Sequence, residues 1–361
     1  MSIKKRNVKI EIIMFVCFMF LFLKALPSVG SGNAAKQPLT SYVQDTDEQA
    51  NSNLLVVEYA TGNDTLLNKE VGGFYLPTPT VPPTPTPTVT PIPADTPEAT
   101  VKVADIVGKK YILEELLQVS YLKEHLYIVN ATTKMTESDF DVEYFISKDL
   151  ALSEPENDGP QILIFHTHAS EGFADSRAGV QEDTVVGVGT RLAELLEKKY
   201  GYQVLHDTTV FDKKNGKDNR NYAYNDALDY LEELLEAYPS IEVVIDLHRD
   251  AGEKRVATVN GKPTAKVMLF NGLCRNTQGK LTYLPNENLK DNLAISFQMK
   301  LIGDELYPGL MNRIFLKDYR YNMHLKERYL LIELGTQKNT VEEAMNAMEP
   351  LADVLHQVLD K

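Results

Sequence analysis

The chain has 361 residues and a net charge of −14, with a sequence pI of about 5.0. This acidity excludes binding to nucleic acid or to anionic lipid by simple charge attraction. The two cysteines, Cys17 and Cys274, exclude a fold built on a framework of disulfides.

Residues 1–32 have the layout of an export signal, because the basic triplet KKR at 4–6 precedes an apolar run over 12–23. Basic flanks stay on the cytoplasmic side, so the rest of the chain is predicted to lie outside a single-pass anchor in the cell membrane. Two interpretations are open, a cleaved signal peptide and a retained anchor. The weak cleavage site in LPSVGSGNAA favours the anchor.

Residues 33–76 read as an irregular extracytoplasmic segment, and residues 77–100 as a Pro/Thr-rich stalk. Proline lacks the backbone N–H that helices and sheets need. The tract is therefore predicted to be an extended spacer, on the order of 70 Å long at about 3 Å per residue. An O-glycosylated or disordered stalk is the alternative. Either form would hold the following domain away from the membrane.

Residues 101–158 are predicted to form a lead-in subdomain. The stretch YILEELLQVSYLKEHLYIV reads as a helix followed by a strand-like run, and FDVEYFISKDL reads as a second helix. No cluster of potential catalytic side chains lies in this segment.

Residues 159–361 are predicted to be the catalytic domain, because apolar strand patterns alternate with helical patterns there. Gly201 should end the first helix, Asn260-Gly261 should turn a hairpin, and Thr340 with Glu343 should form a capping box. The predicted fold is α/β, a mostly parallel twisted sheet with helices on both faces. In chain order the predicted elements are the strand QILIF, the helix GVGTRLAELLEKKYG, the strand YQVLH, the helix NYAYNDALDYLEELLEAYPS, the strand IEVVIDL, the hairpin VATVNGKPTAKVMLF, a helix over about 286–305, the strand LLIE and a last helix.

Three apolar strands end in charged or polar residues: ILIF before HTHASE, VVID before LHRDA, and LLIE before LGTQKNT. Ligands of parallel sheets bind beyond the carboxyl ends of the strands, so the three clusters are predicted to share one rim. Side chains alternate along a strand. We therefore expect His166 and His168 to lie on the same face of their strand, and Asp246 and His248 to lie on the same face of theirs.

These residue types predict a zinc hydrolase. A catalytic zinc ion takes three protein ligands, often two histidines and a glutamate, and leaves a fourth position for water. His168 and Glu171 have a spacing that lets a strand end and its following turn bind one ion, and His248 is the third predicted ligand. Glu333 is the candidate catalytic residue, a carboxylate outside the ligand set that moves the proton from water to the leaving amine.

Other polar residues at the rim have two possible roles each. His166 could contact substrate, support the ligands from outside, or be a hydrogen-bonded rim histidine. Asp246 could orient the imidazole of His248 or be a satisfied polar residue at a strand end. Arg249 and Asp250 could form an ion pair that shapes the loop, or Arg249 could bind a substrate carboxylate.

Glu182 is a rival to Glu171 as the carboxylate ligand, because it also lies in the loop ahead of the first helix of this domain. The remaining histidines lie in ordinary helix, strand or loop contexts, and no function is predicted for them. They are His125, His206, His324 and His356.

From about residue 101 to its end, the chain resembles the stage II sporulation protein P family of endospore-forming bacteria. The resemblance rests on HTHASEGF, VVIDLHRDA, NGKPTAKVMLFNG, YPGL, YRYNMHL and LLIELGTQKNTVEEA, which occur in this order. It implies a membrane-anchored, zinc-dependent hydrolase of cell wall peptidoglycan. The implied cleavage is at the amide between N-acetylmuramic acid and L-alanine during engulfment, with endopeptidase action on cross-links as well.

The resemblance also implies partners: a glycan-cleaving protein like stage II sporulation protein D, and a membrane scaffold protein. Carried over by position, the family motifs fall on His166 to Glu171, on Asp246 to Ala251 and on Glu333. Two other functions remain open. One is a zinc carboxypeptidase or endopeptidase that acts on stem peptides alone, and the other is a non-catalytic, tethered wall-binding module.

Overall fold

The computed structural model describes residues 101–154 and 159–360. The predicted membrane anchor or signal, the irregular segment and the Pro/Thr-rich stalk, residues 1–100, lie outside the described residues. Among those that are described, no helix is long and apolar enough to cross a membrane.

Strands and helices alternate along most of the described chain. The strands are β1 (Tyr127–Val129), β2 (Ile162–Phe165), β3 (Val204–His206), β4 (Lys213–Lys214), β5 (Lys217–Asp218), β6 (Val243–Asp250), β7 (Val256–Val259), β8 (Lys262–Ala265), β9 (Val267–Gly272), β10 (Ile314–Lys317) and β11 (Arg328–Thr336). The helices are α1 (Val103–Ile106), α2 (Leu113–Leu116), α3 (Val119–His125), α4 (Val142–Ser147), α5 (Val185–Tyr200), α6 (Ala223–Ala237), α7 (Leu289–Leu306), α8 (Val341–Asn346) and α9 (Met348–Leu359).

A seven-stranded sheet in the order β1-β10-β9-β11-β6-β2-β3 forms the centre of the fold. Neighbouring strands of this sheet are parallel, except that β9 and β11 run antiparallel. This arrangement confirms the predicted mostly parallel sheet. The strands at its centre are apolar on both sides because both faces are covered, as the complete burial of β2 illustrates.

Helices cover both faces of the sheet, as predicted. Apolar side chains of α5, α7 and α9 pack with Ile164, Ile245 and Ile332 on one face. On the other face, α6 packs with Leu163 and Val244, together with apolar residues from the segment 319–325. Alternate residues of each central strand therefore enter different cores, as the two-residue period of a strand requires.

Several local signals of the sequence are realised as predicted. Gly201 ends α5 in the left-handed conformation, with φ of 76°. Asn260 and Gly261, with φ of 50° and 76°, form the turn between β7 and β8, where both central residues need positive φ. The capping box at the start of α8 is also present.

Other parts of the fold differ from the sequence prediction. The segment RIFLK was not predicted as a strand, yet it forms β10 in the main sheet. Its partner at the edge of the sheet is β1, which forms from the strand-like run predicted within residues 101–158. The single helix predicted at the end of the chain is divided at Ala347 into α8 and α9.

Candidate metal centre

Strands β11, β6 and β2 lie side by side and parallel, so their carboxyl ends meet at one rim of the sheet. Phe165 is in register with Asp246, and Glu333 is in register with His248. The polar groups that follow the three apolar runs are therefore level with one another. This juxtaposition follows from strand direction and register alone.

His168, Glu171 and His248 are brought together at this rim, with one potential ligand atom of each lying within 4.8 Å of the others. His168 Nδ1 is 3.7 Å from Glu171 Oε1, and His248 Nδ1 is 3.4 Å from Glu171 Oε2. The three residues are at most 2% exposed. They form a compact, buried group of two imidazoles and one carboxylate.

The turn that carries Glu171 is fixed by hydrogen bonds. Glu171 N donates to His168 O at 3.0 Å, which closes the turn after β2. The buried carboxylate of Asp212 accepts hydrogen bonds from the backbone N and the hydroxyl of Ser170. The spacing of His168 and Glu171 therefore becomes a defined geometry rather than a flexible loop.

The buried imidazoles lack the hydrogen bonds that such groups normally make. Within the described part of the chain, no ring nitrogen of His168 or His248 has a hydrogen-bond partner. Buried polar atoms are rarely left unpaired, because each costs about 1–3 kcal/mol. Two imidazoles and a carboxylate are a common catalytic zinc set, which leaves a fourth position open. The residues present therefore fit a zinc ion.

Burial and neighbouring charges favour the metal-binding forms of His168 and Glu171. Burial lowers the pKa of His168 to about 3, so its imidazole is neutral. Burial would raise the pKa of Glu171, but the positive charge of the neighbouring His248 holds it below its usual value. The Glu171 carboxylate is therefore ionised.

Asp246 lies beside His248 on the same face of β6. Its Oδ1 is 2.8 Å from His248 Nε2, a close charge contact without the alignment of a good hydrogen bond. The carboxylate also accepts hydrogen bonds from Thr167 N at 2.9 Å and Thr167 Oγ1 at 2.7 Å. Burial would lower the pKa of His248, but Asp246 and Glu171 raise it well above its usual value. Of the two roles considered for Asp246, this geometry favours orienting the ring of His248.

The expectation that His166 and His168 share a face is wrong. Strand β2 ends at Phe165, so strict alternation does not extend to His168. The ring of His166 bonds to Leu247 O at 2.8 Å and to His206 Nε2 at 2.9 Å. The ring of His168 instead packs edge-on against Tyr224 of α6, with centroids 5.6 Å apart. His166 is thus a hydrogen-bonded rim histidine on the α5 face.

Glu333 lies on β11 beside His248, and its side chain is almost fully buried, with the residue 5% exposed. Its Oε2 has no hydrogen-bond partner among the described residues. Burial raises the pKa of Glu333 to about 8, aided by the negative charges of Asp250 and Glu171. A carboxyl group in this position can exchange a proton near neutral pH.

The proposed Arg249–Asp250 ion pair is absent: the Asp250 carboxylate pairs with Arg255 at 2.6 Å instead. The Arg249 backbone N donates to Glu171 Oε2 at 3.0 Å, and its Nε donates to Gly172 O at 3.0 Å. Glu182 is exposed and lies outside the group formed by His168, Glu171 and His248. The geometry therefore favours Glu171 over Glu182.

The structure adds residues that the sequence did not indicate. Tyr224 comes from the start of α6 and Arg220 from the turn before it, while Asp212 and His206 come from the preceding loop and strand. Tyr224 stacks on His248 with centroids 6.2 Å apart, and Arg220 Nη1 donates to Glu171 Oε1 at 2.9 Å. None of these residues directly follows a buried apolar run, the pattern that identified the others.

Comparison with known proteins gives a family and several relatives. The model of the family described as Stage II sporulation protein P matches residues 96–356, well over half of the chain. Stage II sporulation protein P of Bacillus subtilis (strain 168) is 27% identical over 214 residues, which cover 55% of this chain and 50% of the relative. The chain therefore spans about half the length of that curated relative.

Solved structures were also matched. The N-acetylmuramoyl-L-alanine amidase AmiC2 of Nostoc punctiforme is 12% identical, with a TM-score of 0.33 over 56% of this chain and 97% of that chain. The N-acetylmuramoyl-L-alanine amidase from Clostridium difficile 630 is 14% identical, with a TM-score of 0.34 over 56% of this chain and 95% of that chain.

Proposed function

Because the chain belongs to the stage II sporulation protein P family, we propose that it is a zinc-dependent peptidoglycan hydrolase that acts in sporulation. The bond cleaved is the amide between N-acetylmuramic acid and the L-alanine of the stem peptide. The observation that carries the proposal is the buried group of His168, Glu171 and His248, whose potential ligand atoms lie within 4.8 Å of one another. Their unpaired imidazole nitrogens are explained if they bind a metal ion.

In this proposal His168, Glu171 and His248 hold the zinc ion. When bound, zinc polarises the carbonyl under attack and makes water more acidic. Asp246 keeps the ring of His248 in one orientation, with Nε2 toward the aspartate and Nδ1 toward Glu171. Thr167 in turn fixes Asp246 through its backbone N and its hydroxyl.

Glu333 is the proposed general base and acid. Its carboxylate accepts a proton from the attacking water and then delivers this proton to the nitrogen of the leaving amine. Burial raises the pKa of Glu333 to about 8, so that the group can hold the proton transiently. The Oε2 atom, which has no partner in residues 101–154 and 159–360, is available for this transfer.

The remaining parts of the chain support a location at the cell wall. We propose that residues 1–32 anchor the chain in the cell membrane and that residues 77–100 act as a stalk, with residues 159–361 as the hydrolase domain. The substrate is peptidoglycan, and we also propose a glycan-cleaving partner like stage II sporulation protein D and a membrane scaffold partner. Cleavage of cross-links is proposed as a second activity.

The test is digestion of purified peptidoglycan by the full-length chain, with mass spectrometry of the products and measurement of bound zinc. Release of stem peptides with a free N-terminal L-alanine is expected. Glu333→Gln should abolish this release while one zinc ion stays bound, whereas Glu171→Gln should lose the zinc. Glu182→Gln is the matched control, because this exposed glutamate should affect neither.

Other results would replace the proposal. Products trimmed or cut only within the stem peptide would show a carboxypeptidase or endopeptidase. Intact strands from a zinc-loaded chain, even with the glycan-cleaving partner present, would show a tethered wall-binding module.

A further inference from the structure

Arg220 lies at the edge of the candidate metal centre, in the turn that leads into α6. Its Nη1 donates a 2.9 Å hydrogen bond to Glu171 Oε1. The Glu171 side chain is 2% exposed, whereas that of Arg220 is 28% exposed. The guanidinium is therefore anchored on a proposed metal ligand while part of the side chain remains accessible from outside.

Arg249 is the other guanidinium near this carboxylate, with Nη1 at 3.8 Å from Glu171 Oε1. Two of its three donor nitrogens bond within the protein, Nε to Gly172 O at 3.0 Å and Nη1 to Asp250 O at 3.4 Å. Among residues 101–154 and 159–360, the Arg220 guanidinium makes a single hydrogen bond, the one to Glu171. Arg220 therefore keeps donors for a ligand.

The approach to the centre on this side is basic, although the whole chain is acidic. The segment FDKKNGKDNR, residues 211–220, carries four basic and two acidic side chains. Asp212 accepts from Ser170 N at 3.2 Å, and two ion pairs join Asp218 to Lys213 at 3.0 Å and Asp226 to Lys214 at 3.2 Å. Lys217 and Arg220 are the remaining basic residues of the segment. A negatively charged group of a substrate is therefore favoured next to Arg220.

This inference rests on the proposed function. In a peptidoglycan stem peptide, the residue after L-alanine is a D-glutamate linked through its side chain, so its α-carboxyl group lies close to the scissile amide. We infer that Arg220 is a specificity-determining residue, which binds this free α-carboxylate with the donors that Glu171 leaves unused. A planar guanidinium can bind two carboxylates through separate N–H groups in a fixed geometry, which the rotatable donors of a lysine do not provide.

The probes are two soluble N-acetylmuramoyl peptides that differ only at this position, one with D-isoglutamate and the other with D-isoglutamine. The full-length chain, Arg220→Gln, Arg220→Lys and the control Arg313→Gln are compared for kcat, KM and zinc content. Arg313 is a suitable control because its guanidinium bonds to backbone carbonyls before β1. Peptide Kd values are also measured by calorimetry in a Glu333→Gln background, so that binding is observed without turnover.

The wild-type chain should prefer the carboxylate probe by about tenfold in KM and Kd, the effect of one charge-assisted hydrogen bond. Arg220→Gln should reduce this preference to about one, Arg220→Lys should retain part of it, and Arg313→Gln should leave it unchanged. A preference that persists in Arg220→Gln, with kcat lowered equally on both probes, would show that Arg220 only positions Glu171. That result would overturn the inference and leave the hydrolase standing.

The reverse failure is also distinguishable. An Arg220-dependent preference in Kd without cleavage of either probe would support the inference and refute the hydrolase. Absence of both binding and cleavage would overturn both.

Discussion

The substitution Gly189→Ala tests how tightly α5 packs against the two histidines behind the metal centre. A Cβ at this position would lie 2.8 Å from Nε2 and Cε1 of His166 and 2.8 Å from Nε2 of His206. Real contacts of a Cβ are not this short. The two imidazoles would have to move apart or tilt away from the helix.

The expected loss of stability follows from opposing effects. Alanine in place of glycine within a helix stabilises it by about 1 kcal/mol. Overpacking costs about 1–3 kcal/mol. Breaking the 2.9 Å bond between His166 and His206 would leave buried nitrogens unpaired, at about 1–3 kcal/mol. Packing therefore outweighs propensity, and we expect Gly189→Ala to lower the free energy of unfolding by about 2 kcal/mol.

The measurement is chemical denaturation of the full-length chain followed by circular dichroism. The matched control is the same substitution in a His206→Ala background, where His166 has room to shift and the penalty should shrink. A Gly189→Ala chain as stable as the wild type would refute the claim that the imidazole pair is rigidly held. An equal loss of stability in the wild-type and His206→Ala backgrounds would show that contact with the two imidazoles is not the cause.

Three further outcomes are expected. Asp246→Asn should weaken zinc binding about 10- to 100-fold in a chelator competition, because the partner that orients His248 loses its charge; unchanged affinity would contradict this role. Thr340→Ala should reduce the free energy of unfolding by about 1 kcal/mol, since its hydroxyl accepts a 3.1 Å bond from Glu343 N; no change in denaturation midpoint would refute the cap. Burial, with the charge of Arg320, lowers the pKa of His324 to about 4, so its contribution to stability is full above about pH 6.5 and is lost as pH falls toward 4. In His324→Gln, the denaturation midpoint should fall less steeply as pH is lowered over that range. An unchanged dependence on pH would exclude His324 as a source of acid sensitivity.

The sequence alone determined the central strands, the direction in which they run and the residues at their ends. Apolar runs such as ILIF and VVID are long enough to be buried on both faces, and the helices between them require parallel strands. Once these strands are parallel neighbours, His168, His248 and Glu333 must meet at one rim. The helix end at Gly201 and the helix cap at Thr340 were also predictable from sequence, because each residue acts on backbone within a few residues of itself.

Tertiary structure decided the features that depend on contacts between distant parts of the chain. The face of His166 depended on where β2 ends, because alternation fails once the chain leaves strand geometry. The antiparallel pairing of β9 with β11 depended on the position of β9 in the sheet, between β10 and β11. Arg220 reaches Glu171 across 49 residues of sequence, through the packing of α6 on the sheet. No local pattern marks such a contact, since it is the closure of the fold that brings the turn before α6 to the metal centre.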